Sequence, residues 1–429
     1  MQRIRHQPTF VLLAALLVTV PACGAREAQV SARDMAGASA PSDAPLSTGR
    51  VRLLELAFEC ASAIPDAPHR KTRARTQEEV LAIALELGQA RLVSTSVERI
   101  DNWRRGVVQA ELAAYCAEHG PESAVEPYLA RAEAEAARCA ALLGGPEPED
   151  QVFESPQDWH RERILGQIAR LRAVRGEDAE AARLEQGASD AESGHAALGR
   201  AERLGPDEIE PQLASLREAA RIGNFELARG ALAVVARLHA RFYEQAELRT
   251  RLEQEIRAGW RPVPLPERLE VLGTLVESAL EHADTAHARE LLAEARTALA
   301  GGNWEPDGRL PFDARLAGLR HRAGETAEAR ADLETGLAFY MAERAKLVDI
   351  FRADALRPLA ETFALVGDAA RASELYGRAL GEGLVNPNAC PRAEDLIATA
   401  LSMARVGFEP DAALWKRLEE ARTGLVAPW

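Results

Sequence analysis

Apolar side chains recur along this chain at helical spacing, and the runs break at repeated points. The breaks fall at Gly88, Gly120, Gly176, Gly223, Ala283, Gly324, Gly367 and Gly407. Seven residues before them stand Leu81, Ala113, Ala169, Leu216, Val276, Ala317, Ala360 and Ala400. Five residues after them stand Val93, Val125, Ala181, Ala228, Ala288, Ala329, Ala372 and Ala412. An apolar stripe at three- and four-residue spacing that halts at glycine predicts an amphipathic helix ending there. The recurrence predicts a helical hairpin repeated about eight times, with breaks roughly 40 residues apart over the last four.

Other elements follow in chain order. Val51 to Ala63 reads as a short helix, stopped by Pro65 and Pro68. The basic stretch 69–75 reads as a solvated loop, with contact to acidic lipid as the alternative. Thr76 with Glu79 has capping-box spacing, so a helix is expected to begin there. Residues 144–158 and 186–206 read as loops, and a long helix after Gly223 is expected to end near Ala258. Pro262, Pro264 and Pro266 form a stiff connector, and Pro358 should kink or start its helix. Trp103, Trp159, Trp260 and Trp304 each precede a hairpin, as staples of the entering chain or as ligand contacts. The expected divisions are a leader at 1–22, a tether at 23–49, and helical segments at 50–143, 144–260 and 261–429.

Composition narrows this picture. Of the 429 residues 47% are apolar but only 5% aromatic, which suits close-packed helices better than strands. A formal net charge of -14 argues against a nucleic-acid partner. The basic residues are nearly all arginine, with Lys71, Lys346 and Lys416 the exceptions.

Residues 1–22 read as an export signal, with Arg3 and Arg5 ahead of an apolar run from Phe10 to Val20 that is too short to span a membrane. Val20-Pro21-Ala22-Cys23 resembles a bacterial lipobox, although Leu is commoner than Val in its first position and Pro is unusual in its second. The resemblance implies a lipid anchor on Cys23, and ordinary secretion is the alternative. With Gly24 next, the expected location is the cell envelope, periplasm-facing at the outer membrane. Residues 24–49 are rich in Ala, Ser, Gly and Pro and read as a flexible tether. Export would put Cys60, Cys116, Cys139 and Cys390 in an oxidising space, where either disulfides or buried thiols are open readings.

Gly, then Ala five residues on, then a large apolar residue, then a small one, resembles the tetratricopeptide repeat. Gly367, Ala372, Leu375, Tyr376 and Ala379 form the best copy; Ala283, Ala288, Leu292 and Ala295 form another, and Gly120, Val125, Tyr128, Leu129 and Ala132 a third. The resemblance covers roughly residues 76–424 and is degenerate, since the family period is about 34 residues. It implies an all-α, right-handed α-solenoid of about eight antiparallel hairpins. A different α-solenoid or an irregular bundle stays open.

No nucleophile elbow, phosphate loop, metal-ligand spacing or paired-carboxylate signature is legible, so no catalytic, cofactor or metal residue is expected. The leading expectation is a protein–protein interaction scaffold that binds an envelope protein or peptide. In arrays of this kind the first helix of each hairpin lines the groove. Register then puts Arg170 and Arg217 six residues before their turns, and Arg221, Arg322 and Arg405 two residues before theirs. Such a row suits an acidic peptide or a terminal carboxylate. Glu118, Glu277, Glu281 and Glu361 share that face, so a salt-bridged surface is the competing reading. The rival class is a helical toroid acting on glycan or cell-wall material, with Trp260, Trp304, Glu305 and Asp307 as the residues of interest. A passive spacer is the third reading.

Overall fold

The computed structural model describes residues 41–142, 158–190 and 192–429. Leader, Cys23 and most of the tether therefore lie outside the described residues. The described chain is helical and contains no strand. Its elements are α1 (Thr48–Ala63), α2 (Asp66–Glu86), α3 (Ala90–Ser96), α4 (Arg104–His119), α5 (Val125–Leu142), α6 (Asp158–Val174) and α7 (Asp178–Leu184). Next come α8 (His195–Ala201), α9 (Glu210–Ile222), α10 (Phe225–Arg241), α11 (Ala246–Gly259), α12 (Leu265–Glu281) and α13 (Thr285–Gly301). The last are α14 (Pro306–Arg322), α15 (Thr326–Glu343), α16 (Asp349–Leu365), α17 (Ala369–Gly383), α18 (Ala389–Val406) and α19 (Ala412–Thr423).

All eight expected turn residues adopt positive φ, from 58° at Ala283 to 88° at Gly324. The stop is a Schellman motif: at Gly367, the Asp368 N–H donates to the Phe363 carbonyl at 2.8 Å and the Gly367 N–H to Ala364 at 3.1 Å. The residue after the turn then starts the next helix. The Asp368 carboxylate accepts from the Arg371 N–H, as Asp284 does from His287 and Asn224 from Leu227, each at 3.1 Å. One dipeptide thus ends one helix and caps the next. The small or branched residues seven before the turns are all buried. So are those five after, except Ala412, which is exposed.

Each hairpin leaves an apolar face that a neighbour must cover. Helices α2, α4, α6, α8, α10, α12, α14, α16 and α18 each pack on the next, and α18 packs back on α2. The all-α solenoid therefore closes into a ring. Most of the remaining helices form a second layer, paired with these as α3, α5, α7, α13, α15 and α17. Helix α1 makes the closure, lying against both α18 and α2. It buries Leu53, Leu54, Leu56, Phe58 and Cys60, and the core it joins runs on through residues of the first and last thirds of the chain. Polar contacts finish the seam. Arg50 Nε donates to the Ala404 carbonyl at 2.8 Å, Arg52 pairs with Glu419 at 3.0 Å, and Arg422 pairs with Glu59 at 3.3 Å.

Four local expectations fail for identifiable reasons. Beyond a kink at Ala67 and His69, residues 70–75 of that stretch are helical and continue α2, because its arginines and lysine are good helix formers once the other face is covered. Thr76 is no cap: it sits inside α2, with its hydroxyl donating to the Thr72 and Arg73 carbonyls at 3.0 Å. Segment 186–206 contains α8, where glycine replaces bulk; a Cβ on Gly199 would lie 2.4 Å from the Arg170 carbonyl. The long helix expected to reach Ala258 is two, α10 and α11. Pro358 lies within α16.

Two stability predictions follow from turn and seam. Ala283 holds a left-handed conformation that costs a side chain about 1 kcal/mol, so Ala283→Gly should stabilise the protein by about that amount in urea denaturation. Leu54→Ala should cost about 2–5 kcal/mol, because Leu54 is fully buried at the closure. An unchanged midpoint would mean that α1 does not hold the seam.

Candidate functional site

Residues two, six, nine and thirteen before each turn fall on one helix face. On the first-layer helices that face looks into the ring. Glu118 of α4 feels the field of Arg237 on α10, and Glu79 of α2 that of Arg357 on α16, although other helices of the layer intervene. Their side chains share one interior space.

Neighbouring first-layer helices are joined there by arginine–carboxylate pairs. Arg315 of α14 reaches Glu277 of α12 at 3.3 Å and also pairs with Glu270. Arg357 of α16 holds Asp395 of α18 at 3.1 Å. At the seam, Arg405 of α18 meets Glu86 of α2 at 3.4 Å, and Arg75 of α2 pairs with Glu394 of α18. Glu78 of α2 takes both Arg104 of α4 and, at 3.6 Å, Arg163 of α6.

Several carboxyls on this face are pushed above the usual range by burial: Glu79, Glu111, Glu118, Glu277 and Glu361. By accessible area Glu79, Glu277 and Glu361 are only half-buried, and Glu118 is exposed. The two facts agree if the groups line a narrow concave space, which water enters but where protein surrounds the charge on most sides. Glu111 is raised furthest, to about 8, by burial and then by the Glu78 carboxylate.

The five arginines expected to form one row are divided by the fold. Arg170, Arg322 and Arg405 are on first-layer helices. Arg170 is buried, Arg322 is exposed, and Arg405 is engaged at the seam. Arg217 and Arg221 are on α9, which lies in the second layer. Arg217 binds Glu255 at 2.9 Å and Glu210 at 2.7 Å, and Arg221 binds Glu218 at 2.5 Å. The cause is a change of register. Helix α8 takes the first-layer place beside α6, so that α10 rather than α9 continues the ring. The sequence reading assigned Glu79 only a capping role and passed over Glu111. Both stand nine residues before a turn, on the stripe it had identified, one helical turn further in.

Other polar clusters are structural. Burial would raise the Glu253 carboxyl, but hydrogen bonds from His239 and from His287 (2.7 Å), with Arg257 at 3.1 Å, hold it at about 2. The four described cysteines are buried and unpaired, and burial pushes their thiols up to between about 11 and about 12. Trp103 stacks on His160 at 4.4 Å with Trp159 edge-on at 5.0 Å, and Trp304 donates its N–H to the Leu299 carbonyl at 2.8 Å. Trp103 thus packs across to the start of the neighbouring α6, and not on its own first turn. Among the described residues no three His, Cys, Asp or Glu side chains are grouped to hold a metal ion, and no helix is long and apolar enough to cross a membrane.

Comparison with known proteins adds little. No family model and no curated protein matches the chain. Among solved structures it is similar to a "Circular tandem repeat protein with novel repeat topology and enhanced subunit contact surfaces", at 16% identity over 88% of this chain and 94% of that one, with a TM-score of 0.17. A superposition that poor carries no argument, and the ring rests on the contacts described above.

Glu111 supplies a pH prediction. Its carboxyl titrates near 4.3 when unfolded and at about 8 when folded, so the native state holds the extra proton between those values. Stability from this group is full below about pH 4.3 and declines as pH rises towards 8. Glu111→Gln should remove that decline, leaving melting unchanged at pH 4 and gaining about 2–4 kcal/mol at pH 8.5. Parallel pH profiles for the two proteins would show that Glu111 is not held protonated.

Proposed function

We propose that this protein is an exported, lipid-anchored interaction scaffold of a bacterial envelope, holding a protein or peptide partner against its helical ring. The observation that carries the reading is the closed helical ring with a charged interior, a rigid frame built from repeated binding surfaces. The anchor part rests on the lipobox-like residues before Cys23. The described chain enters the ring beside the first glycine turn. The Ala44 N–H donates to the Gly88 carbonyl at 2.8 Å, and the Arg91 N–H to the Asp43 carboxylate at 2.7 Å. A tether leading back to a membrane would leave from the rim that carries the glycine turns.

A second reading, an enzyme acting on glycan or cell-wall material, draws on the carboxyls that burial pushes up inside the ring, Glu111 to about 8 and Glu361 above its ordinary value. The tryptophan site once considered for it offers less, since the Trp304 N–H is already engaged by Leu299. A passive spacer would need neither feature.

Affinity capture from native membranes with a carboxy-terminally tagged chain, followed by mass spectrometry of the prey and of the mature amino terminus, tests the proposal. A recurrent envelope partner together with acylated Cys23 is the expected result. A free amino terminus beyond Cys23 and no recurrent partner would reject it. Glycan release by the purified protein, lost in Glu111→Gln, would favour the enzyme.

A further inference from the structure

The carboxyl ends of the first-layer helices gather on one rim of the ring, with the turns that follow them. Arg405 of α18 meets Glu86 of α2 there at 3.4 Å, and Arg289 and Arg330 donate to the Ala323 and Val366 carbonyls of the next turns, each at 2.9 Å. Helix α10 ends on this rim too, since Glu244 just beyond it meets His282 at the end of α12 at 2.6 Å. The start of α10, with Ile222 and Gly223 before it, therefore lies on the other rim. Among the described residues seven large apolar side chains stand exposed, and six are on that other rim. They are Ile222, Met341, Val348, Leu384, Val385 and Val426, between 38% and 61% exposed; Leu365 alone stands beside a turn on the first rim. Five of the six form one arc. The Glu382 carboxylate accepts from Tyr340 Oη at 3.2 Å and from Arg344 Nε at 2.6 Å, which brings the end of α15, with Met341, beside Leu384 and Val385 at the end of α17. Arg392 then joins that connection to the carboxy-terminal tail, donating to the Pro387 carbonyl at 2.8 Å and the Val426 carbonyl at 3.3 Å, while the Ala389 N–H donates to the Pro428 carbonyl at 2.7 Å. Ile222 stands further round the ring, with α12 and α14 between α10 and α16.

Side chains at separate points of one rim share a plane and not a pocket. A bilayer presents a plane, needs no matching cavity, and takes aliphatic side chains into the boundary between headgroups and acyl chains. Charge points the same way. Within residues 63–71, 341–348, 384–388 and 423–428 the exposed charged side chains are Arg70, Lys71 and Lys346 against Asp66, a cationic excess in a chain whose formal net charge is -14. Anionic headgroups draw such cations to a membrane surface. The length of the preceding chain allows this orientation. Residues 24–40 reach at most about 60 Å when extended, whereas a first-layer helix of 17 residues such as α12 is about 25 Å long, so Cys23 can reach either rim. We propose that the rim opposite the glycine turns rests on an anionic lipid bilayer, with its aliphatic loop tips among the headgroups. This deepens the anchored-scaffold reading by naming the face turned to the membrane. It rests on that reading for the presence of a membrane, and on the rim itself for the contact.

The test uses the full-length protein carrying Cys23→Ser, so that no acyl chain contributes, and vesicles of phosphatidylglycerol and phosphatidylcholine in equal parts. Met341→Cys and, on the rim of the turns, Leu365→Cys are each labelled with a polarity-sensitive dye; the four described native cysteines are buried. Fluorescence at 341 should rise at least about threefold as vesicles are added, and at 365 it should stay unchanged. Combining Val348→Ser, Val385→Ser and Val426→Ser should raise the lipid concentration at half-rise by about tenfold or more. The pair Lys71→Gln and Lys346→Gln should raise it by about tenfold, and vesicles of phosphatidylcholine alone should do the same. Every substituted side chain is exposed, so melting temperatures should hold. The proposal is overturned if the dyes at 341 and 365 respond alike, if the triple serine variant matches its parent, or if phosphatidylcholine alone serves as well. It is also overturned if the dye at 341 responds without vesicles as protein concentration rises, which would make a second copy the occupant. Acylated Cys23 together with a silent dye at 341 would reject this orientation yet leave the anchored scaffold in place.

Discussion

An amphipathic hairpin cannot cover its own apolar flank, and every level of this structure answers that constraint. Within a hairpin, the small residues flanking the turn let two helices approach. Between hairpins, a first-layer helix such as α14 is sandwiched by α12 and α16. A linear array would still expose one flank at each end, and repeat proteins usually blunt such ends with polar capping units. Here α1 and α2 cover the last flank instead, which is why residues as distant as Leu54 and Leu401 belong to one continuous core.

Closure also sets the character of the interior. Helices brought round to face a common space carry their polar stripes with them, and charges that would be solvated on an open surface must find partners. Arginine is suited to this, since its fork can take two carboxylate oxygens and it stays charged under partial burial. The pairs run between helices of the ring, as from Arg315 to Glu277 and from Arg405 to Glu86. On the outside, many pairs are within one helix, as at Arg221 with Glu218 or Arg183 with Glu180, where water screens them and they count for little.

Much of the fold was legible because it is encoded locally. A glycine after an apolar stripe fixes a left-handed stop, and even the one alanine in that role, Ala283, adopts it. What was not legible depends on distant partners. Thr76 has the type and spacing of a cap, but the docking of the preceding segment turns it into a mid-helix residue. The Gly223 hairpin obeys the local pattern, yet α8 displaces it by one layer and takes Arg217 and Arg221 off the inner face. Ring closure pairs residues more than three hundred positions apart, such as Arg52 and Glu419, and no periodicity reports such a contact. The inner stripe was visible in part. Its carboxylates near the turns could be placed, whereas the deeper Glu79 and Glu111 matter only once the ring surrounds them.

The arrangement of the seam has a mechanical side. In a closed circle each unit has two neighbours, so freeing an interior one means parting two interfaces. Helix α1 is different, because it is the first described helix of the chain and the piece that completes the circle. A pull on the amino-terminal chain would act first on the short segment hydrogen-bonded at Gly88 and then on α1 against α18, while α2 and α18 stay joined by their own packing and by the Arg405–Glu86 and Arg75–Glu394 pairs. The seam thus has two fastenings, α1 laid against α18 and the direct contact of α2 with α18.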